Sequence, residues 1–113
     1  AQSAGALVVQ LDPAQPFTAA RARNAGAQAL FAQHPGVGYI QFVDGDTELD
    51  PRWLAHAATY LDHHPAVAVV CGRRRERHPE ATPYNLMADM EWDTPVGHAN
   101  ECGGDAMIRA AVV

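Results

Sequence analysis

Lysine is absent from this chain: all eight basic side chains are arginines, set against thirteen acids, and the formal net charge is −5. Nucleic-acid binding draws on basic side chains gathered on one face to displace phosphate counterions, so this balance argues against that class of partner. Arg73, Arg74, Arg75 and Arg77 form the one basic cluster. Glu76 interrupts it and His78-Pro79-Glu80 follows, so it reads as a solvated loop. Cysteine is also scarce. Cys71 and Cys102 lie far apart with no Cys-x-x-Cys spacing, which excludes a zinc framework and a secreted disulfide scaffold and points to a reducing compartment. No apolar run approaches the roughly 18 to 20 residues of a membrane span, and no basic-then-apolar leader opens the chain. The start at Ala1 without an initiator methionine, and the stop at Val113 inside an apolar run, are what an excised piece would show.

With 48% hydrophobic and 19% charged positions over 113 residues, the chain is expected to form a single domain, 1–113, around its own core. Ala6 to Leu11 is short, rich in β-formers and closed by Asp12-Pro13, which predicts a buried strand. Thr18 is placed to cap a helix over Ala19 to Ala32 that His34-Pro35-Gly36 stops. Gly26 inside that helix hints that another backbone or a ligand passes close. Tyr39 to Val43 predicts a second strand. Asp50 as a cap, Pro51 at the first helical position, and the spacing of Leu54, Ala57, Ala58 and Leu61 predict a helix ending at His63-His64-Pro65. Ala66 to Gly72 predicts a third strand, apolar on both faces.

Strand, helix, strand, helix, strand at this spacing implies an α/β fold with a mostly parallel sheet flanked by helices. Arg73 to Thr82 reads as loop. A helix is expected from Pro83 to Trp92, with Leu86, Met87 and Met90 inward and Asp89, Glu91 and Asp93 outward. Gly97 to Gly104 reads as loop, and the pattern leaves Ala106 to Val113 open between strand and helix.

The second strand delivers Asp44-Gly45-Asp46 at its C-terminal end, where open parallel sheets bind their ligands. Two carboxylates flanking a glycine make a hard oxygen site suited to Mg²⁺ or Mn²⁺, which accept one or two protein carboxylates and complete their shell with water and phosphate oxygens. The alternating acids Asp44, Asp46, Glu48 and Asp50 also suggest a calcium loop. That reading fails because Leu49 stands where the loop needs glycine and Ala55 where it needs a bidentate acid. A glycosidase acid pair is poorer still, since such carboxylates come from separate elements roughly 5 to 9.5 Å apart. His63 and His64 fit the dipole of a helix end. His98 is a weaker candidate ligand, Trp53 and Trp92 suit core or groove wall, and Cys102 has no base to activate it.

Three segments in order resemble the inverting GT-A glycosyltransferases of family 2. They are Ala20-Arg21-Ala22-Arg23-Asn24-Ala25-Gly26, then Tyr39 to Asp46 with Leu49-Asp50-Pro51-Arg52-Trp53-Leu54, then Cys102-Gly103-Gly104-Asp105-Ala106-Met107-Ile108-Arg109. The resemblance implies part of a GT-A, Rossmann-like fold and transfer of a sugar from a nucleotide-diphosphate donor to a carbohydrate or lipid-linked acceptor. It implies that Asp46 ligates Mn²⁺ or Mg²⁺, and that Asp44 contacts the donor ribose or assists the metal. Arg23 and Asn24 would help to form the nucleotide pocket. Gly103, Gly104 and Asp105 would lie beside the donor, although the glycine pair also fits a plain tight turn.

The same resemblance places the general base in an acidic motif past Val113 and the first strand ahead of Ala1. On that reading the fragment alone would be inactive, and a non-catalytic module that only binds or packs is the alternative. Family members commonly build polysaccharide or cell-envelope material at the cytoplasmic face of a membrane, so a membrane-associated parent protein is expected.

Overall fold

The computed structural model describes residues 2–113. After a 3-10 turn at Gln2–Ala4 the chain runs through α1 (Ala19–Gln33), β1 (Tyr39–Phe42), α2 (Trp53–His63), β2 (Val69–Cys71), α3 (Pro83–Trp92) and β3 (Ala106–Arg109), closing with a 3-10 turn at Ala110–Val112. The helices start where side chains can satisfy their free N–H groups. Thr18 Oγ1 accepts from Arg21 N at 3.1 Å, and Thr82 Oγ1 accepts from Asn85 N at 3.2 Å with Pro83 at the first position. Pro51 and Arg52 form a turn instead of a first helical turn, so α2 begins at Trp53. Asp50 caps that turn, its carboxylate accepting from Arg52 N at 2.8 Å and its carbonyl from Trp53 N at 2.9 Å.

The sheet departs from the parallel expectation. β3 lies between β1 and β2 and runs antiparallel to both, pairing Ile40 with Ile108 and Val69 with Ile108. The outer strands are therefore codirectional but do not touch, and the untyped Ala106 to Val113 segment supplies the strand that joins them. Ala6 to Leu11 forms no strand among the described residues. Leu7, Val8 and Val9 are exposed and join no ladder, although among the described residues the outer edges of β1 and β2 are unpaired.

The register assigns the two sheet faces. Gln41, Val70 and Met107 share one face, against which α2 sets Ala57 and the fully buried Leu61, with Tyr39, Trp53, Ala58 and Val67 around them. Leu54 falls outside this cluster and stays exposed. Arg109 locks the arrangement. Its guanidinium donates to the carbonyls of Val67 at 2.8 Å, Leu61 at 2.5 Å and His64 at 3.1 Å, lies over the Tyr39 ring, and places positive charge at the C-terminal end of α2. On the other face, Phe42, Val69, Ala106 and Ile108 look towards Ala20, Arg23 and Asn24 of α1 across a cavity of about 630 Å³. A Cβ at Gly26 would meet nothing within 4 Å, so no close neighbour requires that glycine.

The helix α3 is turned opposite to its apolar pattern. Asp89 is 7% exposed, whereas Met87 and Met90 are 65% and 70% exposed and Leu86 also faces outward. The inward positions Asn85, Ala88, Asp89 and Trp92 follow helical spacing. The ion pair of Asp89 with Arg75, described below, chooses this face in place of hydrophobic burial.

Candidate functional site

β1 ends at Phe42, and the chain turns immediately, Asp44 O accepting from Thr47 N at 3.1 Å. The Asp44-Gly45-Asp46 turn thereby forms one wall of a cavity of about 730 Å³, a size typical of small-ligand sites. Glu48 and Asp50 continue that acidic wall, and Trp53 lies beneath it, its indole N–H donating to Gln41 Oε1 at 2.8 Å.

Gly72 to Arg77, leaving the end of β2, form the opposing wall. Arg73, Arg74, Arg75 and Arg77 lie exposed on a loop, as the sequence led us to expect, and the loop is also anchored. Arg75 donates twice to the Asp89 carboxylate, at 2.8 and 2.6 Å, and Glu76 N adds a third hydrogen bond at 2.9 Å. Arg73 Nε donates to Asp93 Oδ1 at 2.6 Å, and Arg77 pairs with Glu48 across the cavity. The hydrogen bonds from Arg75, reinforced by the Glu76 amide, lower the Asp89 carboxyl to a pKa of about 2. The anchoring was not read from the sequence; the complementary acids, Asp89 on α3 and Asp93 at its C-cap, are the signal that could have shown it.

The third segment crosses between these walls. Gly103 and Gly104 do not have the positive φ of a tight glycine turn; among the described residues only Gly5 and Gly97 do. What they provide is room. A Cβ on Gly104 would fall on the Asp44 carboxylate, and one on Gly103 would lie 2.6 Å from the Arg74 guanidinium carbon. Asp105 follows, buried beside Gly72, whose own added Cβ would touch Asp105 Oδ2 at 3.4 Å and the Trp53 ring at 3.6 Å. Asp105 Oδ1 has no hydrogen-bond partner, the nearest cation being Arg74 Nε at 3.8 Å. Burial raises the Asp105 carboxyl above its ordinary pKa; a backbone hydrogen bond and Arg74 pull it down, and the Asp44 charge adds to the rise.

Asp44, Asp46 and Asp105 therefore line one cavity, while Arg23, Asn24, Gly103 and Gly104 line the neighbouring one beneath α1. The two meet where Arg23 Nη2 donates to Asp44 Oδ1 at 2.7 Å and where Gly103 and Gly104 lie against Arg74 and Asp44. No group of three or more His, Cys, Asp or Glu side chains capable of holding a metal assembles among the described residues. Asp44 and Asp46 offer hard oxygen donors in an open cavity, which fits a cation that draws the rest of its shell from water and phosphate. His98 lies in the exposed loop before Gly103. Burial, together with the hydrogen bond that the Cys102 thiol donates to Cys71, pushes that thiol up to about 11, which disfavours the thiolate. No helix among the described residues is long and apolar enough to cross a membrane.

Against known proteins, the family model described as glycosyl transferase family 2 matches residues 11–104, an interval holding Arg23, Asn24, the acidic turn and both loop glycines. No curated protein and no solved structure matches the chain.

Proposed function

The chain belongs to glycosyl transferase family 2, and from that premise we propose that its larger cavity binds the diphosphate of a nucleotide-sugar donor through Mn²⁺ or Mg²⁺ held by Asp44 and Asp46. Membership makes it a glycosyltransferase domain and implies a nucleotide-sugar donor and an acceptor. The observation that carries the finer reading is the convergence of three separate segments on one cavity: the acidic turn after β1, the arginine-bearing segment after β2, and Asp105 just before β3, with Gly103 and Gly104 giving clearance to Arg74 and Asp44. A bound divalent cation would neutralise the charge that grows on the departing diphosphate.

The residues of the chain divide the remaining work. Gly104 leaves space for the Asp44 carboxylate to reach into the site. Arg23 holds that carboxylate from the α1 side, and with Asn24 borders the nucleotide. Asp105, with an unpartnered buried oxygen, is assigned to a hydroxyl of the donor, whose O–H would satisfy it. The acceptor is assigned to the carbohydrate or lipid-linked class, and the parent protein to the inner face of a membrane.

Thermal melting of the chain with Mn²⁺ and a panel of nucleoside diphosphates tests this assignment. Mn²⁺ with the matching diphosphate should raise Tm more than either does alone, since a cation held by Asp44 and Asp46 would complete its shell with phosphate oxygens. Asp46→Asn should abolish the rise. Stabilisation by Mn²⁺ alone, unaffected by nucleotide, would instead make the turn a structural metal site in a non-catalytic module.

A further inference from the structure

The eight basic residues of the chain differ in how they are occupied. Arg21 and Arg109 donate to backbone carbonyls, Arg23 and Arg52 to the aspartates Asp44 and Asp50, and Arg73, Arg75 and Arg77 are paired with acids around the cavity. Arg74 alone among the described arginines makes neither a hydrogen bond nor an ion pair closer than the 3.8 Å that separates it from Asp105. Its guanidinium is nevertheless confined. Trp92 presents its ring 5.5 Å away on one side, and the bare backbone of Gly103 leaves it room on the other. The side chain remains 41% exposed and lines the cavity that also contains Asp44 and Asp46.

A guanidinium satisfied within the fold spends its N–H donors on protein oxygens. Arg74 lies over the Trp92 ring, a cation–π contact that holds the guanidinium without consuming a donor. Five N–H groups directed by an aromatic platform into a cavity opposite two carboxylates suit bidentate capture of a phosphate. We propose that Arg74 grips the diphosphate of the donor from the side opposite the Asp44-Gly45-Asp46 turn, with Trp92 as its platform. This rests on the reading of the cavity as a nucleotide-sugar site. Arg73, Arg75 and Arg77 form the frame that fixes the segment, and Gly103 is glycine because the guanidinium occupies the place of its side chain.

The test is calorimetric titration of the whole chain, saturated with Mn²⁺, with UDP, GDP, ADP, CDP and dTDP at several salt concentrations. Arg74→Gln should weaken the diphosphate that binds wild type by about tenfold or more and make log Kd less dependent on log salt, as expected for one lost phosphate contact. Arg74→Lys, which keeps the charge without the fork, should fall between the two and serves where the glutamine variant does not fold. Trp92→Phe retains a ring face and should weaken binding less than Arg74→Gln.

Unchanged affinity in a folded Arg74 variant overturns the assignment and leaves the donor-site reading standing. A weakening that leaves the salt slope at its wild-type value also overturns it, since a merely structural arginine would behave so. Failure of wild type to bind any of the five diphosphates sinks the donor-site reading, and this assignment with it.

Discussion

The two faces of the sheet are built to different standards. Towards α2, Leu61, Ala57 and Met107 close a small core that Arg109 ties together through three backbone carbonyls. Towards α1, Phe42, Val69 and Ile108 border a cavity of about 630 Å³, and α1 itself buries only Ala27. The radius of gyration, 15.9 Å, exceeds the roughly 13 Å of a closely packed domain of this length. Stability is thus concentrated beneath α2, and the half-filled side is where Arg23 reaches Asp44. Packing that second face to native density would remove the space into which Arg23 and Asn24, the residues proposed to border the nucleotide, project, a familiar conflict between stability and function.

The largest expected effect breaks the packed face. Leu61→Ala should cost about 2–5 kcal/mol, because the surroundings of a fully buried leucine collapse only in part. Ile108→Ala, bordering a cavity that already exists, should cost about 1–2 kcal/mol. Urea midpoints at constant m-value measure both, and equal losses would show that the two faces contribute alike.

A smaller effect separates glycines by what surrounds them. Gly26→Ala should stabilise the chain by about 1 kcal/mol, since its added methyl meets nothing in the middle of a helix. Gly104→Ala should displace the Asp44 carboxylate and erase the rise in Tm with Mn²⁺ and nucleoside diphosphate. Retention of that rise in Gly104→Ala would detach the loop from the site.

The smallest effect distinguishes two carboxylates by the sign of their pH dependence. Asp89, lowered from 3.8 to about 2 by Arg75, adds stability that is fully present above its unfolded pKa and is lost as pH falls through the folded value. Asp89→Asn should therefore remove that part of the loss of Tm expected on acidification from about pH 4 towards pH 2. Asp105 is raised by burial, so its contribution runs the other way: stability falls as pH rises from the unfolded pKa through the folded one. Asp105→Asn should remove that second slope. Melting curves across the acid range of both variants would expose a shared slope if the two sites are not distinct.

Local chemistry was legible in the sequence, and partnerships were less so. Thr18, Pro83 and His34-Pro35-Gly36 bracket α1 and α3 almost to the residue, because caps and breakers act within one turn of the chain. Tyr39 to Phe42 was readable as a strand, but its antiparallel neighbour was not, since Ala106–Arg109 carries no signal naming the edge it will join. Ala6 to Leu11 has strand composition but joins no ladder among the described residues. The orientation of α3 failed for an electrostatic reason: the buried Asp89 outweighs the Leu86, Met87 and Met90 stripe because Arg75 meets it. In the candidate site, the acidic turn was visible as a motif, whereas the wall from Gly72 to Arg77 and the clearance given by Gly103 depend on residues distant in sequence.

The strand order carries a consequence for how the molecule is assembled. The strand at the centre of the sheet is the last to be synthesised, and the two flanking strands have no hydrogen bonds to each other. Until Ala106–Arg109 arrives, β1 and β2 are isolated extended segments, and closing the sheet requires a loop of more than sixty residues between Phe42 and Ala106. Arg109, which fastens α2, and Gly104, which admits Asp44, arrive on that same late stretch of chain. Docking of β3 thus brings the Arg109 tie to α2 and the Gly104 clearance for Asp44 into place together, linking closure of the core to the shape of the cavity.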